Sequence, residues 1–381
     1  MIVNYAVLSD THCGAFDAEE WYYELKDHFI KYIKKTKLDI IFLSGDWFHK
    51  KLSGNSRHMA LSMKLMMMIL KIAGEKGIKV RMIKGTESHD NNQLELFEPL
   101  TRSDICDFKI FHTLGSEYIN GMEVLYIPEE YMPDMKEYYK EAFSKKYDMI
   151  IGHGLVDKAT FIAQVQESEP TKPNAPIFRV SDLESISYGP IYFGHIHKPM
   201  VIGRFKYVGS YSRWAFGESE AKGFIGGSYN TETRVFNDTF IENESVRPFD
   251  TFKFKPDDKL FKNSPNEIVS ELLIMNQSRR EYMTRYHLII PEDYPDSRLL
   301  TGLMNESFST IDNVRLKIVD NGKITRKEKV DQVVDELVEK YYMLFDNSLD
   351  PEEKIHLYIK TKYGRNIELN KLKKYLYGGK R

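Results

Sequence analysis

The sequence predicts an α/β domain, then a smaller α+β unit, then a helical tail. Three observations carry this expectation. Short runs rich in β-branched and aromatic residues alternate with helical patterns over the first two-thirds of the chain. After Ser210 the texture changes, and strand-like and helix-like segments follow at closer spacing. Beyond residue 322 only helical patterns remain.

The elements follow in order. Apolar runs at residues 2–9, 39–44, 80–85, 122–128, 148–152 and 191–194 are short enough to be buried strands. Residues 18–36 carry Trp21, Leu25, Phe29 and Ile33 at i+4 spacing, an amphipathic helix. Arg57–Lys76 is apolar nearly all round at residues 65–70, so a helix buried on several sides is expected, with its methionines as core filler. Residues 223–241 read as two strands around Asn230-Thr231-Glu232-Thr233. Pro248 marks a joint. Strands at 251–254, 286–290 and 314–319, with helices at 266–275 and 297–308, form a β-α-β-α-β unit. Residues 320–323 read as a turn and linker. In the tail, 327–345 places Val330, Val333, Val334, Leu337, Val338, Tyr341 and Phe345 on one helical face, and Asp350-Pro351-Glu352-Glu353 is a helix start. The expected domains are 1–248, 249–321 and 322–381.

Composition narrows the function. The chain has 381 residues, 42% hydrophobic and 29% charged, as globular proteins do. No apolar run reaches the roughly 18 residues of a membrane span, and the N-terminus is too quickly polar for a secretory signal. Two cysteines, Cys13 and Cys106, exclude a disulfide scaffold and a Cys-rich zinc site, and a cytoplasmic setting is expected. The net charge of −2 neither announces nor excludes a nucleic-acid partner.

The strands end in chemistry. They run into Ser9-Asp10-Thr11-His12, Gly45-Asp46-Trp47-Phe48-His49, Gly85-Thr86-Glu87-Ser88-His89-Asp90, Gly152-His153 and Gly194-His195-Ile196-His197. Ligand sites of α/β folds form at such carboxyl ends. In Asp10-x-His12 and His195-x-His197 the two side chains would share one face of an extended backbone, able to grip one ion or straddle two. A carboxylate such as Asp46 can bridge two cations, and imidazole with carboxylate suits Mn, Fe, Zn or Co better than Ca or Mg. Two such ions support hydrolysis of a phosphoester. Singly, each motif has a plainer reading as a turn or a core histidine. Five of them in order, each at a strand end, do not.

Together these motifs resemble the signature of the calcineurin-like metallophosphoesterases. Gly45-Asp46-Trp47-Phe48-His49, and Gly209–Glu218 followed by Lys222-Gly223-Phe224, resemble the SbcD-type DNA repair nucleases within that superfamily. The compact length is similar to the phage members, the recombination-related exonuclease subunits. The resemblance implies a β-sandwich flanked by helices, with a small α+β DNA-capping domain over 249–321 and a helical tail that docks on an ATPase. It implies that Asp10, His12 and His197 hold one metal, that His153 and His195 hold a second, and that Asp46 bridges them. His49 and His89 would orient the scissile phosphate and protonate the leaving oxygen. The cofactors implied are two divalent ions, manganese ahead of magnesium. The partners implied are DNA and an SbcC-like coiled-coil ABC-type ATPase, with the nuclease itself a homodimer and no membrane involved.

One loop departs from the family. Where the family has Gly-Asn-His-Asp, this chain has Gly85-Thr86-Glu87-Ser88-His89-Asp90. Ser88 directly before the histidine is the expected replacement for the asparagine ligand, with Thr86 and Glu87 as alternatives. The implied activity is a manganese-dependent DNA exonuclease/endonuclease for end processing, recombination or repair. A small-molecule phosphodiesterase or protein phosphatase is the alternative, and a scaffold with a decayed site a third. Phosphatases of the superfamily commonly place an arginine next to the His-Asp loop, and here Asn91-Asn92-Gln93 follows. No P-loop occurs, so ATP control would come from the partner.

Overall fold

A computed structural model describes residues 1–157, 175–218, 220–279, 282–320, 353–356 and 360. The described residues divide into two compact units. One comprises Met1–Thr251 and Arg279–Arg285, the other Phe252–Ser278 and the chain from Tyr286 onward. The strands are β1 (Ile2–Leu8), β2 (Ile40–Ser44), β3 (Lys79–Ile83), β4 (Phe108–Phe111), β5 (Gly115–Ile119), β6 (Met122–Ile127), β7 (Met149–His153), β8 (Leu155–Val156), β9 (Ile177–Phe178), β10 (Ile191–Gly194), β11 (Met200–Ile202), β12 (Phe205–Tyr207), β13 (Gly223–Asn230), β14 (Phe236–Glu242), β15 (Phe249–Phe254), β16 (Met283–Ile290) and β17 (Val314–Asp320).

The first unit is a sandwich of two six-stranded mixed sheets flanked by helices, with strand orders β14-β13-β1-β2-β3-β4 and β11-β12-β10-β7-β6-β5. In the first sheet β1 to β4 run parallel, and β13 and β14 extend the edge antiparallel. In the second, β12, β10, β7 and β6 run parallel between antiparallel edge strands. Alternation along each strand explains the layers. Val3, Tyr5, Val7 and Phe42 meet Val124, Tyr126, Ile151 and Tyr192 between the sheets. The intervening Ala6, Leu8, Ile41 and Leu43 pack outward on the helices. On the other flank Ile127, Ile150 and Phe193 pack with Val180 and Leu183. Both faces of every central strand are therefore apolar, and these strands read as continuous hydrophobic runs.

The expected helix at 18–36 is divided into Ala18–Leu25, a π-turn at Lys26–Ile30 and Lys31–Lys35. The spacing explains it. Residues four apart precess by about 40° per step around an α-helix, and a wider turn brings the stripe back. Trp21, Leu25, Phe29 and Ile33 consequently all stay buried. The same helix holds Glu24, whose Oε2 is buried without a hydrogen-bond partner. Burial lifts this carboxyl to about 8. Folding thus takes up a proton here, so the stability from this group is present at acid pH and is lost as pH rises through about 8. Glu24→Gln should gain melting temperature relative to the parent between about pH 5.5 and about pH 8. An unchanged difference between the two conditions would contradict this.

In the second unit the sheet order is β15-β16-β17, with helices Pro265–Gln277 and Ser297–Phe308 between the strands. Ser264 and Glu267 form a capping box at the first helix, with Pro265 at its first position. Ile268, Leu272, Leu300 and Met304 pack on Tyr286 and Leu288. The expected tail helices at 327–345 and from 350 lie outside the described residues, except residues 353–356, which are helical. No helix among the described residues is long and apolar enough to cross a membrane.

Candidate metal centre

Five strands of the two sheets deliver the site to one edge of the sandwich. From the first sheet, the loops after β1, β2 and β3 carry Asp10 and His12, Asp46 and His49, and Thr86 to His89. From the second, β7 ends at His153, and β10 ends at Gly194, before His195 and His197. Backbone hydrogen bonds lace the first two loops together: Asp10 N to Gly45 O at 3.2 Å, His12 N to Asp46 O at 3.1 Å and Cys13 N to Trp47 O at 2.8 Å. Beneath them two indoles donate downward, Trp21 Nε1 to Thr11 O at 2.9 Å and Trp47 Nε1 to Ser62 Oγ at 2.8 Å.

Asp10 and His12 enter one ligand group while His195 and His197 enter two, and the backbone that places them is not extended. Asp10, His12, Asp46 and His195 all have positive φ, at 49°, 47°, 47° and 94°. Each such conformation costs on the order of 1–3 kcal/mol and persists where surrounding bonds over-determine it. Glycines let the loops close. A Cβ on Gly45, whose φ is +81°, would lie 2.3 Å from His153 Nδ1, and one on Gly194 would lie 2.1 Å from Ser9 Oγ.

Three groups of potential ligand atoms result, each within 4.8 Å: Asp10, His12 and His197; Asp46, His153 and His195; and His12, His49 and His89. In the first, His12 Nε2 and His197 Nε2 are 2.9 Å apart, and Asp10 Oδ1 is 3.9 Å from His12 Nε2. Asp10 is steadied by the His195 N–H, 3.0 Å from its Oδ1. In the second, His153 Nε2 lies 3.2 Å from Asp46 Oδ2. Neighbours fix the imidazoles. His153 Nδ1 is 2.9 Å from Ser44 O, so it donates there and leaves Nε2 facing the site. His197 Nδ1 lies 3.3 Å from Glu218 Oε1. The His89 Nδ1–H donates to the His49 carbonyl, and His89 Nε2 lies 4.0 Å from Asp46 Oδ2. The Trp214 ring packs 4.7–5.1 Å from His12, His49 and His197.

The electrostatics differ across the site: burial raises Asp10, and Asp46 outweighs burial to raise His153, while other groups move the opposite way. Burial, then its histidine neighbours, hold His12 well below its ordinary value. Burial and His89 pull His49 down to about 4. Burial alone would raise Asp46, but His153 and His89 outweigh it and hold the carboxyl well below the usual range. This buried set of imidazoles and carboxylates fits divalent cations.

Ser88, the expected replacement for the asparagine, has a buried Oγ without a hydrogen-bond partner. Thr86 is the loop residue that meets the donors. Its N–H donates to Asp46 Oδ1 at 2.6 Å, and its Oγ1 lies 3.3 Å from Asp46 Oδ2. Glu87 is turned outward to Lys84. Asp90 clamps the loop, accepting from Phe48 N at 3.1 Å and from Gly85 N at 2.8 Å.

Sequence reasoning missed Glu129, Tyr131, Glu218 and Trp214. Glu129 follows β6 and Pro128, and is 2% exposed. Burial opposes its charge, yet His195 and His153 bring its carboxyl down to about 2. The available signal was an acid just past the carboxyl end of a parallel strand, the position type that Asp46 also occupies.

No protein-family model matches this chain, and no curated protein does. Among solved structures, the chain is similar to an archaeal phosphodiesterase, 12% identical, over 63% of this chain and 100% of that one, with a TM-score of 0.30. A second solved structure is 11% identical over 63% of this chain and 99% of its own, with a TM-score of 0.36.

Proposed function

We propose that this protein is a two-metal DNA exonuclease/endonuclease, manganese-dependent, acting in DNA end processing, recombination or repair as the nuclease subunit beside an SbcC-like ATPase. The observation that carries this reading is the pair of adjoining His/Asp donor groups at one edge of the sandwich. Asp10, His12 and His197 would hold one ion, Asp46, His153 and His195 the other, with Asp46 shared. Bound there, two divalent ions supply Lewis-acid polarisation of a phosphodiester and activation of a water.

The protein's own groups do the rest. Asp10 and Asp46 are buried carboxylates that set the charge of the cradle. His89, with Nδ1–H committed to the His49 carbonyl, turns Nε2 toward the site and can pass a proton to the leaving oxygen. His49, kept neutral, positions the phosphate by hydrogen bonding. DNA is favoured over a terminal phosphate because Asn91-Asn92-Gln93 follows Asp90, where phosphatases of the superfamily commonly place an arginine. The second unit and a tail richer in Lys and Arg than in Asp and Glu fit a macromolecular substrate and a protein partner.

The full chain should be assayed with manganese on linear duplex DNA, single-stranded DNA and a chromogenic phosphodiester side by side. DNA cleavage that chelation abolishes is expected. Turnover of the chromogenic diester with neither DNA cut would replace this reading with a small-molecule phosphodiesterase.

A further inference from the structure

We infer that Glu129 and Thr86 are ligands of the second cation, so that two carboxylates, two imidazoles and a hydroxyl hold it. The inference rests on the metal-dependent reading above and concerns which atoms of this chain complete the site. Glu129 Oε2 lies 3.1 Å from His195 Nδ1 and 3.9 Å from His153 Nε2. Thr86 Oγ1 lies 3.1 Å from Glu129 Oε2, 3.3 Å from Asp46 Oδ2, 3.4 Å from His153 Nε2 and 3.2 Å from His195 Nδ1. One hydroxyl is thus near four ligand atoms at once.

Those four fall into two close pairs. Asp46 Oδ2 and His153 Nε2 are 3.2 Å apart, and His195 Nδ1 and Glu129 Oε2 are 3.1 Å apart. On an octahedron with bonds of about 2.1 Å, neighbouring ligands are about 3.0 Å apart. The Thr86 Oγ1 distances of 3.1–3.4 Å are close to that spacing. The Thr86 hydroxyl has one proton, so it can donate to only one of the Asp46 and Glu129 carboxylates and keeps lone pairs for a cation. The second oxygen, Glu129 Oε1, accepts from the Tyr131 hydroxyl, a tether of the kind that orients metal ligands. Glu129 and Tyr131 also line an open cleft with Lys84, Glu87, Glu98 and Arg102, a route for an ion from solvent.

The charge distribution follows. Each position then has one carboxylate of its own, Asp10 or Glu129, and a share of Asp46, but the second adds the Thr86 hydroxyl as a further donor and should therefore fill first.

Two measurements test this. Crystals of the full chain grown with manganese should show an anomalous peak within bonding distance of Glu129 Oε2 and Thr86 Oγ1. Equilibrium dialysis with Mn2+ should find a tight and a weaker ion in the parent. Glu129→Gln should weaken the tight ion by at least about a hundredfold, Thr86→Val by about tenfold, and Ser88→Ala should leave it unchanged. Asp10→Asn should weaken the other ion only. If Glu129→Gln melts as an unfolded chain, Glu129→Asp, which keeps the charge but withdraws it by one methylene, takes its place. Parent-like binding of both ions by the Glu129 variant, or a peak from which Glu129 is turned away, would overturn the ligand assignment while the metal centre stands. A parent that binds no manganese would overturn the metal-dependent reading as well.

Discussion

Asp46→Ala should take DNA cleavage below detection and strip both ions from the protein. The carboxylate accepts the Thr86 N–H at 2.6 Å through Oδ1 and faces His153 Nε2 at 3.2 Å through Oδ2. Its removal takes a ligand from each ion in the proposed shared arrangement and leaves a buried N–H unanswered, a further cost of about 1–3 kcal/mol. The loss should be local. His153 keeps its bond to the Ser44 carbonyl and the β2–β7 edge stays closed through the Ser44 Oγ to Gly152 O bond at 2.7 Å, so the fold should survive. The checks are turnover on linear duplex DNA and metal content by elemental analysis of the dialysed protein. Wild-type turnover with two ions retained would show that Asp46 is not shared, and the bridged arrangement would fall.

His89→Ala should lower turnover by roughly 10²–10⁴-fold while both ions stay bound. The reason is geometric. Its Nδ1–H is already given to the His49 carbonyl, and Nε2 stands 4.0 Å from Asp46 Oδ2, at the margin of the ligand cluster. A group so placed suits proton transfer better than coordination. The diagnostic contrast is with substrate: a diester whose leaving group needs no proton should be cleaved by the variant nearly as well as by the parent. Equal loss of metal and activity would make His89 a ligand, in line with its proximity to His12 and His49.

Both predictions draw on residues visible in the sequence, and the reason is the rarity of histidine. Six of the 11 histidines stand just beyond apolar runs, and such clustering is not a property of ordinary turns. Glu129 escaped notice for the converse reason. Glutamate is common on surfaces, so one more acid after a strand carries little information until its burial is known. The edge strands β4 and β5 were equally hidden. Their runs mix polar and apolar residues, and Tyr118 in β5 is 75% exposed, because an edge strand buries little.

By itself the sequence determined the central strands, since apolar side chains on both faces leave a short segment no other stable place. It also marked the histidines and aspartates that the structure gathers into candidate ligand groups, since side-chain chemistry is local information. Only the tertiary structure decided that Thr86 and not Ser88 meets the donors, for that turns on backbone dihedrals set by the Asp90 clamp on Phe48 and Gly85. It likewise decided that Asp10, His12 and Asp46 reach the site through left-handed backbone and not along extended strands. Those conformations are unfavourable locally, and they hold because bonds from the neighbouring strand outweigh the local preference.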